Sequence, residues 1–358
     1  MKKICFAFNH LQFSDGIARS AISMANRLAK RGDVEITLRP IFKIEKDVCE
    51  LLDDKVIVKP VIGFYFNGLS KILKILPDKY LHDRIFGKNG YDIEIGFQHG
   101  TSSRAVVSTN NNAKHIIWMH GYDVGLLMRE YYLKADKVIC VSKFNADRLK
   151  QEINENISID YCYNPIDEKK VIEQGKEEIS VRNASDVVFV SVGRLSEEKG
   201  YIRLLDVTKR LTDEGFKFKV WLIGDGPQRE ELRSRIKKMG LEKIVYLYGN
   251  QANPHKYTSK ADAFICTSYS EGYSTACTEA IMLGVPVITT EVSGAMEIIE
   301  AAQCGSVQEN TEDGIYSGMK KVLVDPSILD NWKKILNRTR ENFYADARVR
   351  KLEKILEL

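Results

Sequence analysis

The stretch DAFICTSYSEGYSTACTEAIMLGVPVITT, residues 262–290, contains a strand, a loop, a helix and a second strand in succession. The apolar run at 262–268 and the run PVITT at 286–290 have the length and composition of buried strands. Between them we predict a helix from about Ser274 to Met282, closed by Gly284 in the left-handed conformation. This order predicts a parallel sheet whose faces are covered by helices.

The same alternation of apolar runs and helical segments extends through the whole chain. In the first half, a predicted helix at 17–30 stops at Gly32. The predicted strands are 4–8, 34–38, 56–58, 93–97, 116–119 and 138–141 in the first half, and 187–192, 220–224, 244–248, 262–268 and 286–290 in the second. The sequence therefore predicts an α/β protein with two doubly wound parallel sheets.

The length of 358 residues exceeds the usual size of one hydrophobic core, which favours two domains. A polar, charged stretch at 164–185, with Pro165 and Gly175, separates the two halves. We interpret 166–185 as a linker between an N-terminal domain at 1–165 and a C-terminal domain at 186–341.

Composition excludes several classes of protein. With 44% hydrophobic and 28% charged residues and a net charge of +4, the chain has the composition of a folded protein and no dense basic stripe for nucleic acid. We find no signal-peptide core and no apolar stretch of membrane-spanning length. Seven scattered cysteines without a C-x-x-C pair indicate reduced core residues in a cytoplasmic protein.

Charged side chains follow the predicted strands, where ligands of open parallel sheets bind. After the strand at 187–192, GRLSEEKG places Arg194 and Lys199 in a loop, a pair suited to a diphosphate. A solvated basic loop is the alternative. In GDGP, Gly224 and Gly226 permit a tight turn and Pro227 can occupy the first helical position, although such a turn can simply connect a strand to a helix.

Two carboxylates flank the predicted helix start at 274. Glu271 lies in the loop and Glu279 within the first turns of the helix, while Gly272 lets a ligand approach the backbone. The free amides of residues 274–276 can receive a phosphate, so one ligand could be held at both ends. The alternative is that Glu271 is a surface acid and Glu279 an ordinary early-helix acid.

GRLSEEKG, GDGP, the two glutamates separated by seven residues, AIMLGVPVITT and SGAMEII together resemble the retaining GT-B glycosyltransferases of family 4. The resemblance is dense from about 187 to 300. It implies a GT-B fold, in which two Rossmann-like domains face a central cleft and the last helix, about 342–358, packs back on the first domain. It also implies transfer of a hexose-type sugar from a nucleoside diphosphate sugar to an acceptor.

The resemblance assigns roles to individual residues. It implies that Arg194 and Lys199 hold the donor diphosphate, Glu271 meets sugar hydroxyls and Glu279 binds the ribose. The predicted donor-binding residues are Gly16, Gly193, Arg194, Lys199, Gly224, Glu271, Gly272, Tyr273, Ser274, Thr275 and Glu279. The predicted catalytic residues are His120, Arg194, Lys199 and Glu271.

The N-terminal half carries fewer signals. Asp15-Gly16-Ile17 follows the first strand, where the family usually has two adjacent glycines; the alternative is a plain strand-to-helix turn. His120, in IIWMHG, ends a strand, and the resemblance places such a histidine beside the donor sugar; His99, in FQHG, is the second candidate. Either histidine could instead be an ordinary strand-end side chain. NPID at 164–167 resembles the family's turn at the domain junction.

No pair of aspartates flanks a single residue, and the cysteines and histidines lack zinc-ligand spacing. We therefore expect no metal and no cofactor in the reaction, with a uridine diphosphate sugar favoured as donor by family analogy. The resemblance further implies same-face displacement with retention of configuration, since no carboxylate is an obvious covalent nucleophile.

The segment GLSKILKILPDKYLHDRIF, 68–86, is basic and amphipathic. It could lie on the inner membrane surface, which would suit a lipid-linked saccharide acceptor in surface polysaccharide synthesis, or pack as a core-facing helix with solvated lysines. The expected partners are thus a nucleotide sugar, a saccharide or lipid-linked acceptor and no nucleic acid. A catalytically silent protein of the same fold is the alternative function, whereas a dehydrogenase is disfavoured because G-x-G-x-x-G is absent after the first strand.

Overall fold

The computed structural model describes residues 1–12, 16–88, 90–153, 155–179 and 186–358. The chain divides into two compact units. The first unit comprises Met1–Ile166 together with Arg348–Leu358, and the second unit comprises Asp167–Ala347. Each unit contains a parallel β-sheet with its own hydrophobic core.

The first unit is built on a sheet of seven parallel strands, in the order β3-β2-β1-β4-β5-β6-β7. The order reverses direction at β1, as in doubly wound folds. Buried apolar residues from β1 and β5, including Phe6 and Trp118, fill its centre. The strands are β1 (Lys2–Leu11), β2 (Val34–Ile44), β3 (Val56–Val58), β4 (Ile93–Gly96), β5 (Lys114–Met119), β6 (Lys137–Cys140) and β7 (Ile159–Tyr161).

Helices cover this sheet. In α1, the predicted apolar stripe is buried at Ala18, Ala21, Ala25 and Leu28. The helices of the unit are α1 (Gly16–Ala29), α2 (Lys46–Cys49), α3 (Leu69–Lys74), α4 (Asp78–Ile85), α5 (Thr101–Val106), α6 (Leu126–Lys134) and α7 (Lys143–Ile153).

The second unit contains six parallel strands in the order β10-β9-β8-β11-β12-β13. The strands are β8 (Val187–Val192), β9 (Phe218–Ile223), β10 (Val245–Gly249), β11 (Ala263–Cys266), β12 (Val287–Thr290) and β13 (Ser306–Gln308). The helices are α8 (Glu168–Gly175), α9 (Tyr201–Asp213), α10 (Arg229–Lys238), α11 (His255–Thr258), α12 (Thr275–Met282), α13 (Ala295–Ala302), α14 (Glu312–Val324) and α15 (Ser327–Thr339). The prediction of two doubly wound parallel sheets is confirmed.

The stretch interpreted as a linker contains a helix. The Asp167 side chain accepts a hydrogen bond from the Lys170 amide and caps α8, and Gly175 at the helix end lies so close to Leu283 that an added Cβ would be 2.4 Å from that side chain. Residues 168–175 are therefore an ordered part of the second unit, and 180–185 lie outside the described residues.

The last helix, α16 (Ala345–Leu356), passes from the second unit into the first. The Lys2 Nζ atom donates to the Glu357 carbonyl at 2.7 Å, and Lys114 Nζ lies 2.7 Å from the Glu357 carboxylate. The Arg348 guanidinium donates to the carbonyl of Asn164 in the NPID turn. The C-terminal residues thus contact residues near the start and near the end of 1–166.

The basic segment 68–86 forms two short helices separated at Pro77 rather than one amphipathic helix. Leu73 and Leu81 are buried in the core of the first unit, whereas Ile72 and Ile75 are exposed by 47% and 81% of their surface. The segment therefore packs one side into the core, as the second alternative predicts, and also exposes two apolar side chains.

No helix among the described residues is both long and apolar enough to cross a membrane. All seven cysteines are free thiols, and all but the half-buried Cys49 are buried.

Candidate functional site

Three loops meet at the carboxyl edge of the second sheet. Gly224, after β9, has φ +145°, and an added Cβ would lie 1.9 Å from the carbonyl oxygen of Gly193, after β8. Gly200 has φ +66°, and an added Cβ would lie 2.1 Å from the carbonyl oxygen of Thr267, after β11. The loops are in backbone contact, which only glycine permits at these two positions.

Arg203, on the first turn of α9, holds the loop after β11 in place. The side chain is 3% exposed. Its Nη2 atom donates to the carbonyls of Thr267 and Ser268 at 2.6 and 2.9 Å, and to Asn310 Oδ1 at 2.7 Å. Its guanidinium also lies 3.8 Å from the centre of the Tyr269 ring. The Thr267 carbonyl accepts from both Nε and Nη2 of Arg203, and the Ser268 carbonyl accepts from Arg203 and from Thr290 Oγ1, so Arg203 helps to fix the path of the chain just before Glu271.

Lys199 and Glu271 form an ion pair across two of these loops. Lys199 Nζ lies 2.7 Å from Glu271 Oε1, and Ser268 Oγ donates to the same oxygen at 2.6 Å. The side chains are 26% and 13% exposed. Burial alone disfavours the ammonium, but the adjacent Glu271 carboxylate outweighs it and raises the pKa of Lys199 above its ordinary value. Lys199 is thus a positioned, charged cation that reaches solvent.

Arg194 differs from Lys199 because its side chain is exposed and uncommitted. Among the described residues, no hydrogen bond or ion pair to its guanidinium is present. The loop that carries it is fixed nonetheless, since the Leu195 amide donates to the Asp225 carbonyl at 3.0 Å and Ser196 Oγ donates to Glu198 at 2.6 Å. An arginine on a fixed loop with unused donors can take an incoming anion at little cost in rearrangement.

The N-terminus of α12 faces the same edge. Ser274 is the N-cap and accepts from the Cys277 amide, so Thr275 is the first helical residue, as the sequence predicted to within one position. Tyr273 is buried against Gly294, and Ser293 Oγ donates to the Gly272 carbonyl at 2.9 Å. The contacts with Ser293 and Gly294 therefore fix the loop from 272 to 274, which keeps the helix N-terminus at the carboxyl edge of the sheet.

Glu279 is half-buried, four residues after the start of α12. At 1.5 Å of rise per residue it lies about 6 Å along the helix from Thr275. The structure thus places Glu271 before the helix N-terminus and Glu279 beyond its first turn, on either side of the amides of residues 274–276.

Two details of the sequence analysis are wrong. Pro227 is not the first helical position, because α10 begins at Arg229 with Gln228 as N-cap. Gly16 does not lie in a loop but is the first residue of α1, in open surroundings that do not require glycine. Its neighbour Asp15 lies outside the described residues.

His120 follows β5 at the carboxyl edge of the first sheet. Its ring contacts Phe97, with ring centres 4.7 Å apart. Burial, together with the nearby His99, outweighs the opposing effect of a hydrogen bond to the Phe97 backbone and lowers the pKa of His120 to about 3. The imidazole is therefore neutral at neutral pH. Its Nε2 atom is buried and accepts no hydrogen bond from any described group.

His99 lies on the same edge, beyond β4. Burial lowers the pKa of its imidazole despite the opposing charge of Asp123, and its Nε2 atom is 3.3 Å from the Tyr132 hydroxyl. Together with Leu73 and Leu127 it lines a cavity of about 430 Å³. The structure thus brings both candidate histidines to the carboxyl edge of their own sheet.

Sequence reasoning missed Arg203 and Asn310. The available signal was weak: Arg203 is a cation among the buried positions of an otherwise apolar helix face, three residues after Gly200. Asn310 gave no signal, since it lies 107 residues from Arg203 in the chain.

Comparison with known proteins gives a consistent result. The family model described as Glycosyl transferases group 1 matches residues 172–341. An N-acetylgalactosamine-N,N'-diacetylbacillosaminyl-diphospho-undecaprenol 4-alpha-N-acetylgalactosaminyltransferase from Campylobacter jejuni is 28% identical over 330 residues, covering 84% of this chain and 88% of that protein.

Two solved structures share the fold along nearly the whole chain. A glycosyltransferase from Rickettsia africae has a TM-score of 0.77 at 18% identity, covering 99% of this chain and 97% of that one. HepE from Anabaena, solved with UDP and glucose, has a TM-score of 0.75 at 17% identity, covering 100% of both chains. At these identities the solved structures establish the fold alone.

Proposed function

We propose that the chain is a glycosyltransferase that transfers a hexose-type sugar from a nucleoside diphosphate sugar to a saccharide or lipid-linked saccharide acceptor. The match of residues 172–341 to the group 1 family, the Campylobacter relative and the shared GT-B fold support this. Surface polysaccharide synthesis is the proposed setting. This proposal is supported by the Campylobacter relative, whose name specifies a sugar transferred to a diphospho-undecaprenol-linked acceptor.

One observation carries the proposal: the Lys199–Glu271 pair lies at the sheet edge on which Arg194 also projects. A donor diphosphate brings two negative charges that need preorganised partners when the sugar departs. Lys199, Arg194 and the amides at the start of α12 supply positive charge and hydrogen-bond donors. Glu271, already oriented by Lys199 and Ser268, is proposed to accept hydrogen bonds from sugar hydroxyls, and Glu279 from the ribose hydroxyls.

We propose that the reaction retains configuration and needs no divalent metal, because the positive side chains and amides can themselves neutralise the leaving diphosphate. The acceptor oxygen attacks the face from which the diphosphate leaves, the glycosidic bond to phosphate breaks, and a phosphate oxygen takes the acceptor's proton. His120, neutral and with an unused Nε2 lone pair, is proposed to accept a hydrogen bond from a sugar hydroxyl.

We further propose that the first unit rests on an anionic membrane surface. Ile75, Leu126 and Leu127 are exposed by 81%, 91% and 55%, and Lys74, beside Ile75, lines the same cavity as the two leucines. Exposed apolar side chains next to lysines favour an anionic interface. Vesicle sedimentation tests this: Ile75→Ser with Leu126→Ser should abolish binding to anionic vesicles, whereas Val324→Ser, which changes a 66% exposed residue of the second unit, should not.

The donor proposal is tested first by melting the protein with a panel of nucleoside diphosphates and their sugars. A ligand at 100 times its Kd stabilises the fold by about 2.7 kcal/mol, which is readily measured. Released nucleoside diphosphate is then followed in a coupled assay with EDTA present, and the anomeric configuration of the product is read by NMR. We expect one base to be preferred, turnover without metal and retention of configuration.

Matched variants separate an enzyme from a binding protein. Glu271→Gln should abolish turnover while the variant still melts at a higher temperature with the nucleoside diphosphate. Lys209→Ala, which removes a lysine with a 38% exposed side chain that pairs with Asp213, should behave as wild type. Nucleotide binding without turnover on any acceptor tested would favour the silent alternative, and the absence of any nucleotide effect would contradict the donor site itself.

A further inference from the structure

A second cluster of ionisable groups lies in the first unit, at the opposite edge of the sheet from His120. Glu94 and His115 are the second residues of β4 and β5 and are register partners on these adjacent parallel strands. Because partnered residues of neighbouring strands point to the same face, the two side chains meet. His82, from α4, completes the group, and the ligand atoms of the three residues lie within 4.8 Å of one another.

The cluster is compact and buried. His82 Nε2 lies 2.8 Å and His115 Nε2 3.5 Å from the same oxygen of Glu94, Oε2. Glu94 is 0% exposed, and His82 and His115 are 3% and 6% exposed. The two imidazole nitrogens thus point at one carboxylate oxygen in a space closed to solvent.

The charge of Glu94 needs a compensating cation. A buried carboxylate is costly unless it is paired, and within the described residues no lysine or arginine forms an ion pair with it. Among the described residues, its side-chain contacts are the two imidazoles, which are cations only when protonated, and the neutral Asn111 amide, whose Nδ2 atom donates to Oε1 at 3.3 Å. Either a proton on an imidazole or a metal ion must therefore occupy the space between the three side chains.

The surroundings orient the imidazoles as ligands. His82 Nδ1 lies 3.4 Å from the Asp83 carboxylate. When that nitrogen carries the proton, the Nε2 lone pair points at Glu94, which is the carboxylate–histidine arrangement found behind many metal ligands. Asn111 Oδ1 lies 2.8 Å from His115 Nε2 and offers a fourth oxygen at the same point.

We infer that His82, Glu94 and His115 bind a divalent transition-metal ion of the zinc type, with Asn111 or water in a fourth position. Two imidazoles and a carboxylate form a typical ligand set for such an ion. Bonds of about 2.0–2.1 Å in a tetrahedral site place ligand atoms about 3.3 Å apart, and the distances of 2.8 and 3.5 Å lie on either side of that value.

The proposed ion has a structural role, because His82, Glu94 and His115 are all buried and join α4 to the sheet. It would bind α4 to the start of β4 and β5. Since α4 lies within the basic segment 68–86, metal binding would stabilise the part of the first unit for which we propose membrane contact. This inference does not depend on the donor site, and the proposed ion takes no part in the proposed reaction.

The full-length, tag-free protein is stripped with a chelator, dialysed and titrated with Co²⁺, followed by competition with Zn²⁺. We expect one ion per chain, a visible Co²⁺ spectrum typical of a tetrahedral N/O site, and a rise in melting temperature of about 5–10 °C at a hundredfold excess over Kd. Hydrogen exchange at Asp78–Ile85 should slow when the metal is bound.

Glu94→Gln and His82→Gln preserve size and should lose the spectrum and the melting shift, whereas His255→Gln, which changes a buried histidine of the second unit, should keep both. Wild-type protein without stoichiometric binding, or a Glu94→Gln variant that binds as tightly as wild type, would overturn the inference and leave a proton-compensated pair of Glu94 and His82. If the variants fail to fold, the wild-type titration and spectrum decide the question.

Discussion

The candidate site of the second unit can be recognised in the sequence, whereas the buried ionisable cluster of the first unit cannot. In the second unit, the candidate site is built from three loops whose charged and glycine residues are contiguous, as in GRLSEEKG at 193–200. In the first unit, the strand-end histidines stand alone, and the buried cluster joins residues 12 and 21 positions apart, His82 with Glu94 and Glu94 with His115. A site can be read from a sequence when local backbone geometry creates it, and is hidden when tertiary packing does.

The sharpest test of the second unit is Lys199→Ala. The substitution removes the cation at the carboxyl edge and leaves Glu271, 13% exposed, without its ion-pair partner. We expect kcat/KM for sugar transfer to fall by about 10²–10³-fold, as when one preorganised donor to a developing negative charge is lost. The coupled nucleotide-release assay measures this.

Lys209→Ala is the control, because that lysine pairs with Asp213 on the solvent side of α9. Equal losses in the two variants would show that the effect is not specific to the candidate site. A Lys199→Ala variant with wild-type kcat/KM would remove Lys199 from the donor site altogether.

The contact between loops is tested by comparing two glycines with positive φ. Gly240 has φ +70° in open space, so Gly240→Ala carries conformational strain alone, about 1 kcal/mol. Gly224→Ala adds a clash with the Gly193 carbonyl, and we expect a total loss of about 2–4 kcal/mol in the free energy of unfolding. Urea denaturation followed by tryptophan fluorescence gives both values. Equal losses would mean that the loops are not in fixed contact.

Sequence reasoning recovered the elements whose signal is local. The helix start at Ser274–Thr275 follows from a capping serine, and its end from Gly284 with φ +77°. Strands β7 and β13 were not predicted, because each has three half-buried residues and lacks a continuous apolar run. The turn at Gly224 was recognised as a motif, but its contact with Gly193 depends on the pairing of β8 with β9, which no local pattern encodes.

Replacing Arg203 tests whether its hydrogen bonds or the glycine contacts hold the loop before Glu271. Arg203→Met keeps the length of the side chain but removes the two side-chain donors to the buried Thr267 carbonyl, while Ser268 still accepts from Thr290 Oγ1. We expect a loss of about 2 kcal/mol in the free energy of unfolding and a larger fall in turnover than in nucleotide affinity.

Arg210→Met, on the same helix, is the matched control, since Arg210 pairs with Asp313 at the surface and its side chain is 51% exposed. That variant should be nearly as stable as wild type, because exposed ion pairs contribute little to stability. If both variants were equally stable, the loop would be held by the glycine contacts alone.

His120 offers the corresponding test in the first unit, through the pH dependence of stability. Its pKa is lowered to about 3 in the folded protein, whereas an unfolded histidine has a pKa of about 6.5. Below pH 6.5 the unfolded chain therefore takes up a proton that the folded protein does not. The free energy of unfolding consequently decreases as the pH is lowered, by up to about 1.4 kcal/mol per pH unit.

The measurement is the free energy of unfolding of wild type minus that of His120→Asn, between pH 8 and pH 5. A third protein, His99→Asn, shows how much of the difference comes from His99, which interacts with His120 and whose pKa burial also lowers. We expect the difference to be constant above pH 7 and to fall below pH 6.5. A constant difference throughout would mean that His120 is protonated as readily in the folded protein as in the unfolded chain, and that its Nε2 lone pair is not held unprotonated for a sugar hydroxyl.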